Sequence, residues 1–199
     1  IIIMHRDGRC EIVGTTIDDA AGEAFDKGGK ILGLPYPGGP VIDRLAKGGN
    51  VKAIQFPRPL KGKKEHRFNF SFSGLKTSLL YKVKDKEFSD DELKDVLASY
   101  QEAIVDVLSH KAFDAAKHYD CDTLVVCGGV ACNSALRARL TEKGAKSNIE
   151  VVLTPPKYCT DNAAMIAGLG YHQLLKGESE VVLEAIPRAP QISQVPFLG

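Results

Sequence analysis

Asn133 and Asp161 each stand where a short apolar run gives way to a helical pattern, the place in an α/β chain where ligands meet strand ends and helix N-termini. The first lies in Cys127-Gly128-Gly129-Val130-Ala131-Cys132-Asn133-Ser134. Its glycine pair lets a ligand approach the backbone, and the N–H groups of the following helix attract an anion or a polar substrate. An ordinary strand-to-helix turn with Asn133 as its N-cap explains the same residues. The second is Thr160-Asp161-Asn162-Ala163-Ala164, whose carboxylate either caps a helix or offers an oxygen to a metal. A metal needs further donors, and the five histidines, at 5, 66, 110, 118 and 172, show neither HxxxH nor HExxH spacing.

Three other stretches carry groups of interest. Asp19, Glu23 and Asp26 are spaced by four and three residues, so they fall near one face of a helix. Such a face accepts hydrogen bonds from ribose hydroxyls, binds a cation, or is simply solvated. Phe70-Ser71-Phe72-Ser73-Gly74-Leu75-Lys76-Thr77 lacks the GxxxxGK[ST] spacing of a phosphate loop. Arg58, Lys61, Lys63, Lys64 and Arg67 form a basic cluster that suits either phosphates or solvent.

The elements that position these residues follow from the pattern. Ile1 to Met4 and Cys10 to Val13 read as a hairpin turning at Asp7-Gly8. A helix is expected from about Thr16 to Leu32, its Gly28-Gly29 pair signalling close packing or fraying. A shorter one follows from Val41 to Ala46, after prolines that no helix tolerates. Residues 51–75 have no regular period. Ser89 and Glu92 have capping-box spacing ahead of Leu93, Val96, Leu97, Tyr100, Ile104, Val107 and Leu108, which predicts a long helix to about 118. Thr123 to Cys127 reads as a strand buried on both faces, and Ile149 to Leu153 as a second. Thr160 or Asp161 is expected to cap a final helix to about Leu175. Strands alternating with helices predict an α/β fold with parallel pairing.

Composition narrows the class without choosing a function. The 199 residues, 44% hydrophobic and 26% charged, suit one globular domain, with or without an insertion. A net charge of +1 gives no overall nucleic-acid footprint, so any RNA contact must be local. The five cysteines contain no CxxC pair, which fits a reducing compartment and a cytoplasmic location. No apolar run reaches the roughly 18 residues of a membrane span. The abrupt opening inside a hairpin points to a piece of a longer protein.

Five stretches together resemble the TsaD family, also long described as an O-sialoglycoprotein endopeptidase: TIDDAAGEAFDK at 16–27, LGLPYPGGP at 32–40, FSFSGLKT at 70–77, VVCGGVACNSALR at 125–137 and CTDNAAMIAGLG at 159–170. FSFSGLKT is similar to the bacterial form. The resemblance implies the C-terminal portion of an ASKHA fold, the actin, sugar kinase and Hsp70-like architecture. It implies a strand and helix core at 1–50 and 119–199, a mixed sheet, and a mainly helical insertion at about 51–118. The implied activity is transfer of a threonylcarbamoyl group from threonylcarbamoyl-adenylate to N6 of adenosine 37 in tRNAs that read codons starting with A.

Matched position by position, the resemblance makes Asp26, Gly39, Asp43 and Asn133 substrate-binding residues and Asp161 a metal ligand, and it assigns no catalytic side chain. It implies one divalent ion, iron or zinc, with TsaB-like and TsaE-like subunits and tRNA as partners. The family's HxxxH pair and SGGHT loop would lie before residue 1, so this chain alone is expected to hold no metal and to be inactive. Its missing first strand would leave a sheet edge open to self-association. The alternatives are a nucleotide-hydrolysing or sugar-kinase relative of the fold, a metal-dependent peptidase, and a non-catalytic assembly module.

Overall fold

The computed structural model describes residues 1–6, 9–175 and 194–196 of the chain. In chain order these form β1 (Ile2–Met4), β2 (Arg9–Ile12), α1 (Ala21–Ile31), α2 (Gly38–Leu45), α3 (Ser73–Val83), α4 (Asp90–His118), β3 (Thr123–Val126), α5 (Ser134–Ser147), β4 (Glu150–Leu153), α6 (Ala163–Leu175) and β5 (Gln194–Pro196). The predicted hairpin is present, with β1 antiparallel to β2 and Ile3 opposite Glu11, while its Asp7-Gly8 turn lies outside the described residues. β5 adds a third antiparallel strand beside β2. β3 and β4 run parallel, as expected of strands joined by a crossover helix. Among the described residues the antiparallel and parallel pairings thus occupy two separate small sheets rather than one mixed sheet.

α4 is the spine on which the rest is assembled. Its start follows from local chemistry: Glu92 N–H donates to Ser89 Oγ at 3.4 Å, and Ser89 N–H donates back to Glu92 Oε2 at 2.9 Å, a reciprocal cap. On one side Leu97, Tyr100 and Ile104 pack with Phe25 of α1, Ile42 of α2, Phe56, and Leu75 and Leu79 of α3. On another side Val105 and Phe113 meet Leu136 and Leu140 of α5 and Ile149. Residues from both the expected core and the expected insertion therefore pack together in each of these two clusters.

Tyr100 is the largest fully buried side chain, and its hydroxyl donates to Ala24 O at 2.8 Å. Burial, reinforced by the Asp19 carboxylate, pushes that phenol well above its ordinary pKa. Gly28 is where the chain makes room for it, since a Cβ there would stand 2.6 Å from the Tyr100 ring. The glycine pair in α1 is thus a close-packing device and not a frayed end.

Several boundaries differ from expectation for identifiable reasons. α1 begins at Ala21 rather than near Thr16, because residues 15–18 are held by a second segment. Phe70 N–H donates to Thr15 O at 2.8 Å and Ile17 N–H to Phe70 O at 2.9 Å, a short bridge that keeps this stretch extended. α2 starts at Gly38, ahead of the expected Val41, because its first N–H groups find a carboxylate acceptor. β3 is covered on one face only. Leu124 and Val126 pack inward with α5, while Val125 on the other face is 62% exposed, so the expected burial on both faces is corrected. α6 is likewise uncovered, with Ile166 and Leu174 exposed. No helix among the described residues is long and apolar enough to cross a membrane.

Candidate active site

Asp26, on the second turn of α1, points its Oδ1 at the N-terminus of α2. Gly38 N–H donates to it at 2.8 Å and Gly39 N–H at 3.3 Å. These are two of the amides that a helix leaves without internal partners, so the carboxylate satisfies them and favours the positive end of the helix dipole. The contact requires the two backbones to touch. A Cβ on Gly38 would lie 2.8 Å from Phe25 O, so glycine is needed there for reasons of space.

One turn along α2 from Gly39, Asp43 does the same for α5. Its Oδ1 accepts from Ser134 Oγ at 2.8 Å and its Oδ2 from Ser134 N–H at 3.1 Å. Asn133, buried beside it, caps the same helix, with Leu136 N–H donating to its Oδ1 at 2.9 Å. Its Nδ2 donates to the buried Gln101 Oε1 of α4 at 2.7 Å, leaving the other amide hydrogen available. Asp26, Gly39, Asp43 and Asn133 therefore belong to one chain of contacts running from α1 through α2 to the α5 entrance.

The turn before Asn133 needs its first glycine, since Gly128 sits at φ +86°, a left-handed conformation that other residues adopt with strain. That turn is tied to the loop after β4. Arg137 Nη1 donates to Ala131 O at 2.9 Å and to Thr154 O at 3.0 Å, clamping the two strand ends together. Cys132 and Cys159 also meet here. Burial first, then the hydrogen bond with Cys159, pushes the Cys132 thiol above its usual pKa, against a smaller opposite pull from Arg137.

Asp161 follows this clamped loop, and its carboxylate is exposed without a hydrogen bond among the described residues. The cap of α6 is Asn162, not Thr160 or Asp161: Met165 N–H donates to Asn162 Oδ1 at 3.0 Å. Asn162 also holds the preceding turn by donating to Thr160 O at 2.8 Å. Asp161 is thereby released from any structural duty, and no hydrogen bond joins it to the other four positions. Among the described residues no group of three or more His, Cys, Asp or Glu side chains could hold a metal ion. The described residues do not by themselves form a metal centre, whose usual minimum is three protein ligands.

The expected acidic face is divided. Lys27 Nζ lies 2.7 Å from both Asp19 Oδ1 and Glu23 Oε1, so those two carboxylates share one cation while Asp26 faces α2. Asp19 Oδ2 remains buried without a partner among the described residues. Asp18, which the sequence did not single out, has a defined task. It accepts from Phe72 N–H at 2.7 Å and from Ser73 Oγ at 2.7 Å, capping α3 from a distant segment. Burial works against its charge, but the bonds from Ser71, Phe72 and Ser73 prevail and hold its carboxyl below the ordinary range. Asp18, Gln101 and Arg137 all act across long sequence separations, and no local pattern flags them.

Comparison with known proteins identifies the family. The family described as "TsaD: tRNA N6-adenosine threonylcarbamoyltransferase" matches residues 1–168. A protein of Thermosipho africanus named tRNA N6-adenosine threonylcarbamoyltransferase is 48% identical over 188 residues, covering 94% of this chain and 56% of its own length. One of the same name from Anaeromyxobacter sp. is 53% identical over 176 residues, covering 87% of this chain and 52% of its own. The Geobacter sulfurreducens protein of that name is 52% identical over 172 residues, with 86% and 50% covered. The chain thus spans about half the length of the curated relatives it matches.

Proposed function

Because this chain belongs to the TsaD family, we propose that it forms part of an enzyme that moves a threonylcarbamoyl group from threonylcarbamoyl-adenylate to N6 of adenosine 37 in tRNA. The observation that carries this reading is the continuous run from Asp26 through Gly39 and Asp43 to Asn133. In it two carboxylates and two helix N-termini converge, a combination that offers acceptors to ribose hydroxyls and donors to phosphate or carbonyl oxygen. The adenylate would share these groups, its hydroxyls donating to Asp26 and Asp43 and its acyl oxygen taking the spare Asn133 amide hydrogen. In the transfer, the N6 amine forms a bond to the carbamoyl carbon, the bond from that carbon to the phosphate oxygen breaks, AMP leaves, and N6 loses a proton. The chain's part is to hold the two reactants in line.

Asp161 keeps the role of ligand to one divalent ion, iron or zinc, with its companion ligands supplied from the length by which the relatives exceed this chain. The finer architecture follows the same reading: an ASKHA subdomain, with residues 51–118 as its insertion. TsaB-like and TsaE-like subunits are the proposed protein partners, in the cytoplasm, and the exposed Ile2 and Met4 of β1 suit a pairing edge.

The test is a transfer assay. A protein of the relatives' full length carrying these residues is given purified threonylcarbamoyl-adenylate and an unmodified tRNA that reads an A-starting codon, and the digested nucleosides are weighed. The expected result is adenosine heavier by one threonylcarbamoyl group at position 37. Adenosine left unmodified while a peptide or nucleotide substrate is hydrolysed would defeat the reading.

A further inference from the structure

The basic cluster is an exposed loop laid against α4, with Lys61, Lys63, Lys64 and Arg67 open to solvent. Residues 58–67 lie over the second half of α4 and form with it an open cleft of about 480 Å³, lined by Lys63, Lys64, Arg67, His110, Lys111 and Asp114 among others. Its floor is Lys111, only 1% exposed, whose ammonium donates to Leu60 O at 3.0 Å, His66 O at 2.8 Å and Arg67 O at 2.9 Å. Those carbonyls take all three N–H donors of the ammonium, so Lys111 adds positive charge beneath the cleft without a direct contact of its own, and burial lowers its pKa against a smaller opposing pull from Asp114.

Two of the carboxylates nearby are already engaged. Asp114 takes a two-pronged contact from Arg67, at 2.8 Å on each oxygen, and Asp106 holds Arg58 and Lys61. Lys63 and Lys64 have no carboxylate partner among the described residues. The lining thus carries four cations, Lys63, Lys64, Arg67 and Lys111, against the single Asp114. A surplus of three positive charges is concentrated here in a chain whose total is +1. His110 in the same lining is held below its ordinary pKa, by burial first and then by Lys61 and Lys143 nearby, against Asp114 and Asp106.

We propose that this cleft is a phosphodiester site that grips the RNA backbone away from the adenosine being modified. The inference rests on the reading of the substrate as RNA and adds to it a second anchoring point. Small terminal phosphates are usually cradled by helix N-termini and backbone amides. This cleft is walled by the second half of a helix and by exposed lysines instead. No Phe, Tyr or Trp ring is among its lining residues, and the lysines that dominate it contact phosphates without reading sequence.

The experiment measures binding of a fluorescently labelled, unmodified RNA stem-loop to the 199-residue chain by anisotropy over a salt series. Lys63→Glu/Lys64→Glu is compared with Lys84→Glu/Lys86→Glu, an equal charge change at exposed positions beyond the end of α3. The cleft variant is expected to bind about tenfold more weakly or worse near 100 mM salt, with a salt slope shallower by roughly two, while the control stays within about twofold. Inorganic phosphate should displace RNA only at millimolar levels.

Equal losses in both variants, or no loss in the cleft variant, overturn the site. Tight phosphate binding that RNA cannot compete with also overturns it, in favour of a small-anion pocket. If the chain binds no RNA while the longer enzyme still modifies adenosine, the site falls and the transferase reading stands. If the cleft variant loses RNA affinity but the longer enzyme never modifies adenosine, the site stands and the transferase reading falls.

Discussion

Asp161→Ala, in an enzyme of the relatives' full length, is expected to cut threonylcarbamoyl transfer by more than about 100-fold, a larger effect than loss of a metal ligand's hydrogen-bonding support. Its unfolding midpoint should not move measurably. The separation of the two effects follows from the local structure. The carboxylate is exposed, and the capping of α6 falls to its neighbour Asn162. Removing a side chain with no packing and no cap usually changes stability by less than about 0.5 kcal/mol. Asn162→Ala is the matched contrast: it should cost about 1 kcal/mol through the lost cap. Wild-type transfer by a metal-loaded Asp161→Ala enzyme would remove Asp161 from the reaction altogether.

Tyr100→Ala is expected to destabilise the chain by about 3–5 kcal/mol, the range for truncating a buried aromatic ring to alanine. Domains of this size are stable by only about 5–15 kcal/mol in total, so the variant should approach the edge of folding. The ring fills the space that Gly28 leaves open, meets Phe56 edge to face at a centroid distance of 5.5 Å, and donates from its hydroxyl to α1. It therefore fixes the helix that presents Asp26. Tyr100→Phe keeps the ring and loses the one hydrogen bond, for a cost near 1 kcal/mol. Urea titrations of both variants at unchanged slope measure the difference, and equal costs would mean that the hydroxyl, not the packing, secures α1.

What the sequence revealed depended on how local each cause is. The Ser89 and Glu92 cap lies within four residues of chain, and the helix behind it formed where its period placed it. The runs that became β3 and β4 were legible for the same reason, as was Asn133 at the start of α5. Non-local partners were invisible. Asp43 meets Ser134 across 91 positions, and Asp18 caps α3 from 54 positions away at Phe72, which is why α1 starts later than its own residues suggest. Lys111 has the composition of a surface residue, yet three backbone carbonyls from a distant loop draw it inside. Asp161 misled in the opposite sense: a carboxylate at a helix start reads as a cap, and the adjacent asparagine took that task.

The claim on which the account depends is that α1, α2 and the α5 entrance form a single adenylate pocket. A crystal structure of the full-length enzyme with a non-transferable analogue of threonylcarbamoyl-adenylate tests it directly. The account predicts ribose oxygens within hydrogen-bond distance of Asp26 or Asp43, with the analogue's phosphate or acyl oxygen at the Gly39 or Ser134 amide. A nucleotide bound elsewhere, with the Asp26–Gly39 and Asp43–Ser134 contacts left intact and dry, would contradict it.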